Sequence, residues 1–200
     1  VYSSTHDNQV NIRYWRPKGP SQKWEWISYD QDSWHTYDEN SISRFAEGDE
    51  VFLFSLLLES EHFRKDFANR MCDYLNTTLQ SDNVIRLVNQ ITNHIALEVP
   101  REKERWQDTM LYIPSNQRID WIMEYAVQRP CNIRSHIMTH YGLEGGEADI
   151  TIKGNGNGNV QINSITIKKY PWKGYYLENI PISLQAIPKP GYKFVGWSDK

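Results

Sequence analysis

Polar and apolar positions follow three different rhythms along this chain. Near the start, Arg13–Arg16 and Lys23–Tyr29 carry strand-forming residue types on either side of Pro17-Lys18-Gly19-Pro20, so they predict a β-hairpin. From about residue 49 to 143 the rhythm is helical. Val51–Leu58 predicts a short buried helix, because its Leu and Phe content exceeds its β-branched content. Phe63, Phe67, Met71, Tyr74, Leu75 and Leu79 fall on one helical stripe, with Ser60 placed to cap it. Val84, Leu87, Val88, Ile91 and Ile95 form a second stripe after the start signal Ser81-Asp82, and Pro100 is expected to break or kink that helix. Ser115-Asn116 opens another helix through Ile119, Ile122, Met123, Ala126 and Val127, which Pro130 should end. A short helix, Ile133–Tyr141, then stops at Gly142. Beyond Gly145-Gly146 the pattern alternates. Asp149–Ile152 and Val160–Ile162 flank Gly154–Asn159 and predict a hairpin. Further strands are expected at Ile165–Lys168, Ile182–Ala186 and Lys193–Trp197.

The resulting class is α+β, with a domain boundary near residue 145. A unit over 1–144 precedes a small β-rich unit over 145–200. Charge shifts at the same place: from Glu144 onward seven lysines face five acids, whereas fifteen basic residues face twenty acidic ones before it. Some 55 residues cannot bury a large core alone, so the tail is expected to pack on the helices or on neighbours in an array. The net charge of −3 gives no basic field for nucleic acid. The longest apolar run, Val51–Leu58, is too short to span a bilayer. Two cysteines, Cys72 and Cys131, exclude a disulfide framework and a four-thiolate zinc site, and both are expected to be inert. Starting at Val1 and stopping after Gly196-Trp197-Ser198-Asp199-Lys200, the chain reads as a processed chain or an excised piece.

Trp24-Glu25-Trp26-Ile27-Ser28-Tyr29-Asp30-Gln31-Asp32 holds the sharpest candidate chemistry. A strand delivers Asp30 and Asp32 into the loop beyond its end, where two carboxylates suit one hard cation such as Mg2+. A solvated acidic turn gives the same pattern. Asp7 and Asn11, in His6-Asp7-Asn8 and Asn11-Ile12-Arg13, are candidates for a base, an amide donor or further metal ligands. A polar loop running into a strand is the plain alternative. The i, i+4 pair His136/His140 lacks the Glu of a zincin arrangement, and Gly154–Asn159 lacks the helix that a phosphate cradle needs.

Together these residues resemble the spore coat protein H (CotH) kinase family over about residues 4 to 143. The matching stretches are Asn11-Ile12-Arg13-Tyr14-Trp15-Arg16, the Lys23–Asp32 run, Phe63-Arg64 with Phe67 and Arg70, Arg105-Trp106 and Arg129-Pro130. The resemblance implies an atypical protein-kinase-like fold on bacterial surfaces or spore coats, using ATP and Mg2+ to phosphorylate protein hydroxyls. It places Asp30 and Asp32 as metal ligands, and the Asp7/Asn11 region as the upstream catalytic loop. Val10 stands where the family carries the first Asn of a pair, and the family Asp falls on His6 or Asp7. The lobe that clamps the nucleotide is expected to lie before Val1, which makes residues 1–144 the helical C-terminal lobe with its β-hairpin.

The tail resembles small β-rich repeats of bacterial surface proteins, of the listerial B-repeat kind. The likeness rests on Gly158–Asn163, Gly174-Tyr175-Tyr176 and the Ile182–Trp197 pattern. Two functions follow as expectations. One is a CotH-like protein kinase acting on a protein substrate. The other is an inactive coat or surface protein on the same scaffold that binds a protein or glycan partner. Trp34, Tyr37 and Trp172 are candidate sugar platforms that fit a core equally well.

Overall fold

A computed structural model describes residues 13–27, 34–47, 52–106 and 115–198. Strand β1 (Arg13–Trp15) pairs antiparallel with β2 (Glu25–Ile27), with Arg13 opposite Ile27 and Trp15 opposite Glu25. The expected hairpin is therefore formed. Helices α1 (Ser41–Glu47), α2 (Phe52–Leu58), α3 (Glu61–Leu75), α4 (Ser81–Ile95), α5 (Val99–Trp106) and α6 (Ser115–Tyr141) follow. Five further strands close the chain: β3 (Glu147–Ile152), β4 (Gly158–Ile162), β5 (Ile165–Ile167), β6 (Trp172–Leu177) and β7 (Leu184–Pro188). Helices and small antiparallel sheets are thus segregated along the chain, which is the α+β class.

Local chemistry explains the helix ends. Asn40 Oδ1 accepts the Ser43 N–H at 3.1 Å and opens α1. Ser60 Oγ accepts the Phe63 N–H at 3.4 Å and opens α3 as expected. Gly142, at φ +61°, ends α6, and the Leu143 N–H returns to the Met138 carbonyl at 3.0 Å. Both prolines behave differently from their sequence reading. Helix α4 already stops at Ile95, and Pro100 sits in the first turn of α5, where its missing N–H costs nothing. Pro130 does not end a helix; α6 runs through it for 27 residues. Its neighbours hold the helix together: Arg129 and Ile133 are fully buried, and the Gln128 carbonyl accepts from the Asn132 side chain at 3.0 Å. Tertiary packing outweighs the lost backbone bond.

The core lies between α3, α6 and the β-rich region. Ala68, Cys72 and Leu75 of α3 and Ile133 and Ile137 of α6 meet Ile152, Val160, Ile162, Ile167, Tyr176 and Leu177. Small Ala68 and Cys72 let the strands approach closely. The centre of the α3 stripe is accordingly rotated from its expected position: Tyr74 is exposed beneath the Arg70 guanidinium. Helix α2 forms, but among its described side chains only Leu58 is buried, with Leu53, Leu56 and Leu57 open. Helix α4 lies along α6, yet Leu87, Ile91 and Ile95 remain about half exposed. Among the described residues no helix is long and apolar enough to cross a membrane.

Strand pairing departs most from expectation. β3 does not pair with β4 across Gly154–Asn159. It pairs antiparallel with β6, with Glu147 opposite Leu177 and Ile152 opposite Trp172. β4 is the centre of a separate sheet in the order β5-β4-β7. The Asn/Gly segment therefore carries the chain from one sheet to the other. Gly158 is required at the junction, because a Cβ there would lie 2.9 Å from the Ile187 carbonyl oxygen on β7. Lys193–Trp197 does not form a strand; Phe194 and Trp197 instead pack ring to ring at 4.9 Å. A turn at Gly191 (φ +85°) precedes them.

Candidate functional site

Asp7, Asn11, Asp30 and Asp32, the residues with the clearest chemical promise, lie outside the described residues. What the structure describes is the frame on both sides of the acidic pair. On the upstream side, Trp24 packs edge-on to Tyr14 at 5.3 Å and lies under the Arg16 guanidinium at 4.9 Å. Trp24 and Tyr14 are more than half exposed, so Trp24 is a surface aromatic rather than a core one.

On the downstream side the frame is much firmer. Trp34, two residues past Asp32, packs on Tyr125 and Trp121 of α6 at centroid distances of 5.0 and 6.2 Å. Arg129 is fully buried and reaches from α6 into the following loop. Its Nη1 donates to the Tyr37 and Glu39 carbonyls at 2.8 and 2.7 Å, and its Nη2 donates to Ser41 Oγ at 3.0 Å. A buried guanidinium is tolerated only when its donors are met in this way. Glu39 pairs with Arg44 at 3.6 Å. The chain leaving the acidic pair is thus fixed to α6 by stacking and by a buried cation. Trp34 is half-buried in this packing and Trp172 packs against the core, so both serve the scaffold.

His136 lies near Arg129 and Asp38. Burial, then the Arg129 charge, hold its pKa below the usual imidazole value. His140 packs against the Tyr141 ring. Cys72 is buried, and burial pushes its thiol up to about 12, so it is not nucleophilic at neutral pH. Cys131 is exposed and donates its S–H to the Gln128 carbonyl. Among the described residues no three His, Cys, Asp or Glu side chains gather as a metal ion would require.

Asp73 on α3 was not singled out in the sequence, yet it joins the helices to the β-rich region. It is 1% exposed. Its Oδ1 accepts from the Tyr176 hydroxyl at 2.7 Å and from Asn163 Nδ2 at 3.4 Å. Its Oδ2 accepts from the Ser164 N–H at 2.9 Å and from the Ser164 hydroxyl. One turn on, the Asn76 amide completes β6: it accepts the Tyr175 N–H and donates to the Tyr175 carbonyl, both at 2.9 Å. The sequence signal for both buried ions was present. Asp73 follows Cys72 on the inner face of α3, and Arg129 lies four residues from both Tyr125 and Ile133. A charge on an apolar face signals a specific partner set.

Comparison with known proteins yields one family. The profile described as "CotH kinase protein" matches residues 1–133, ending within α6. No curated protein and no solved structure matches the chain. The matched span includes the aspartate pair, the hairpin before it and the helices that hold the segment after it. Since it covers well over half of the residues, the chain belongs to the CotH kinase family.

Proposed function

We propose that this chain provides the metal-binding element and supporting helices of a kinase that transfers a phosphoryl group from ATP to a protein hydroxyl. The family match over residues 1–133 is the observation that carries this reading. Asp30 and Asp32 hold Mg2+; two hard carboxylate oxygens are the donor type that ion prefers. When bound, Mg2+ offsets the phosphate charge during transfer. Asp7 and Asn11 orient the acceptor hydroxyl or complete the metal's ligand set. Arg129 and the Trp34 stack fix the Trp34–Ser41 segment downstream of the acidic pair to α6, the kind of support a metal loop needs. The helical region is read as the C-terminal lobe of an atypical kinase-like fold. Residues 145–200 are read as a B-repeat-like surface module, and the setting as the cell surface, extracellular space or spore coat.

Val10 favours a second reading, because it replaces an Asn that the family loop carries. In that reading the scaffold has lost its chemistry and binds a coat or surface partner. Thermal unfolding of the full-length parent protein with Mg2+, and with Mg2+ plus ATP, separates the two. A ligand at a hundred times its dissociation constant stabilises by about 2.7 kcal/mol, which raises Tm. The kinase reading predicts such a shift in the wild type and none after Asp30→Asn with Asp32→Asn. No shift in the wild type overturns it.

A further inference from the structure

We infer that Asn155 is a site of spontaneous covalent modification, at which the Gly156 nitrogen displaces ammonia from the side chain and water then converts Asn155 to aspartate or isoaspartate. Of the eleven glycines in the chain, only Gly156 and Gly158 follow an asparagine. An Asn-Gly pair closes this ring readily, because glycine has no Cβ to crowd the attacking nitrogen or to restrict the rotation that brings it onto Cγ. Both pairs lie in the crossing from β3 to β4, and their surroundings differ.

Asn155 and Gly156 are exposed and lie outside the strands. A Cβ at Gly156 would meet nothing within 4 Å, so its peptide has room to turn. Among the described residues the Gly156 N–H meets no hydrogen-bond partner, which leaves the attacking nitrogen free. The group under attack is held instead: Asn155 Oδ1 accepts the Asn157 N–H at 3.1 Å. That donor polarises the side-chain carbonyl and sits on the oxygen that becomes negative once nitrogen adds. Lys189 Nζ donates to the Gly156 carbonyl at 2.7 Å, a positive charge within one residue of the nitrogen that must lose its proton. Asn157 has the same following residue and none of this freedom. Its N–H is engaged by Asn155, and its carbonyl accepts the Lys189 N–H at 3.0 Å. Gly158 belongs to β4 opposite Pro188, where a Cβ would lie 2.9 Å from the Ile187 carbonyl oxygen. Turning the Gly158 nitrogen onto Asn157 disrupts the start of the β4–β7 pairing. Closure at Asn155 lies outside that ladder and spares it.

The atoms balance with water as the sole co-reactant. The Gly156 nitrogen loses its proton to solvent base and bonds to Asn155 Cγ, while the Cγ–Nδ2 bond breaks and ammonia leaves with a proton. Water then opens the five-membered ring. Attack at Cγ gives aspartate; attack at the main-chain carbonyl carbon gives isoaspartate, with Gly156 joined through the side chain. Either product places a new carboxylate in the loop that Lys189 contacts.

The full chain is aged in mildly alkaline buffer made with heavy-oxygen water, natively folded and in urea, and the fragment spanning both pairs is sequenced by mass spectrometry. In the folded chain Asn155 should exchange ammonia for one heavy oxygen at least about tenfold faster than Asn157. In urea the two should convert at similar rates, because only the fold tells them apart. Gly156→Ala should slow conversion of Asn155 about tenfold or more, since a methyl then crowds the nitrogen. The inference is overturned if folded Asn155 stays intact while the urea-treated chain converts, if Asn157 keeps pace with Asn155 in the folded chain, or if conversion is unchanged in Gly156→Ala.

Discussion

Replacing Asp73 by Ala tests how the two halves of the molecule are joined. The carboxylate is buried and accepts from Tyr176, Asn163 and Ser164, all on the β-rich side. Truncation removes these bonds and leaves the Tyr176 hydroxyl and the Ser164 N–H facing a void. Each buried donor left unmet costs about 1–3 kcal/mol, and bonds to an ionised acceptor sit at the upper end. Two such donors, with partial relaxation, give a loss of roughly 3–5 kcal/mol. At about 2–4 °C per kcal/mol this lowers Tm by roughly 6–20 °C. Chemical denaturation of wild type, Asp73→Ala, Tyr176→Phe and the double variant supplies the full cycle. A coupling energy of about 1 kcal/mol or more between the two sites is expected. A loss below about 1 kcal/mol in Asp73→Ala, with no coupling to Tyr176, would refute the reasoning.

Arg129→Ala should release the Tyr37–Ser41 segment from α6 and destabilise by about 3–5 kcal/mol, as for other broken buried charge networks. Hydrogen exchange should show the loss of protection concentrated at Tyr37–Ser41. With a thiol reagent, native protein should titrate one fast thiol, Cys131, while Cys72 reacts only on unfolding. Stability should also fall at alkaline pH. Burial raises the folded-state pKa values of Cys72, Tyr141 and Tyr176, so the unfolded chain releases protons first. For Cys72 the loss runs from its ordinary value of 9.0 up to about 12. Cys72→Ala should flatten that part of the profile in denaturation series measured across pH 8–11.

The hairpin, the caps at Ser60 and Gly142 and the α3 helix were legible because local residue chemistry sets them. β-Strand partners were not, because alternation marks a strand without naming its neighbour. Ile150 and Ile152 alternate as well in a hairpin with β4 as in the observed pair with β6. Pro130 misled for a related reason: Arg129 and Ile133 on either side of it are held by contacts far away in sequence. At the candidate site, residue types alone marked Asp30 and Asp32. The place of Arg129 among apolar positions of α6 hinted at burial, but its partners, three groups about ninety residues away, could not be read from the sequence.

Binding of Mn2+ in place of Mg2+, followed by electron paramagnetic resonance, tests the central claim most directly. The wild-type chain should bind one Mn2+ saturably, and the variant carrying Asp30→Asn and Asp32→Asn should bind none at the same concentrations. Equal binding by both proteins, or none by the wild type, would contradict the assignment of those carboxylates as metal ligands.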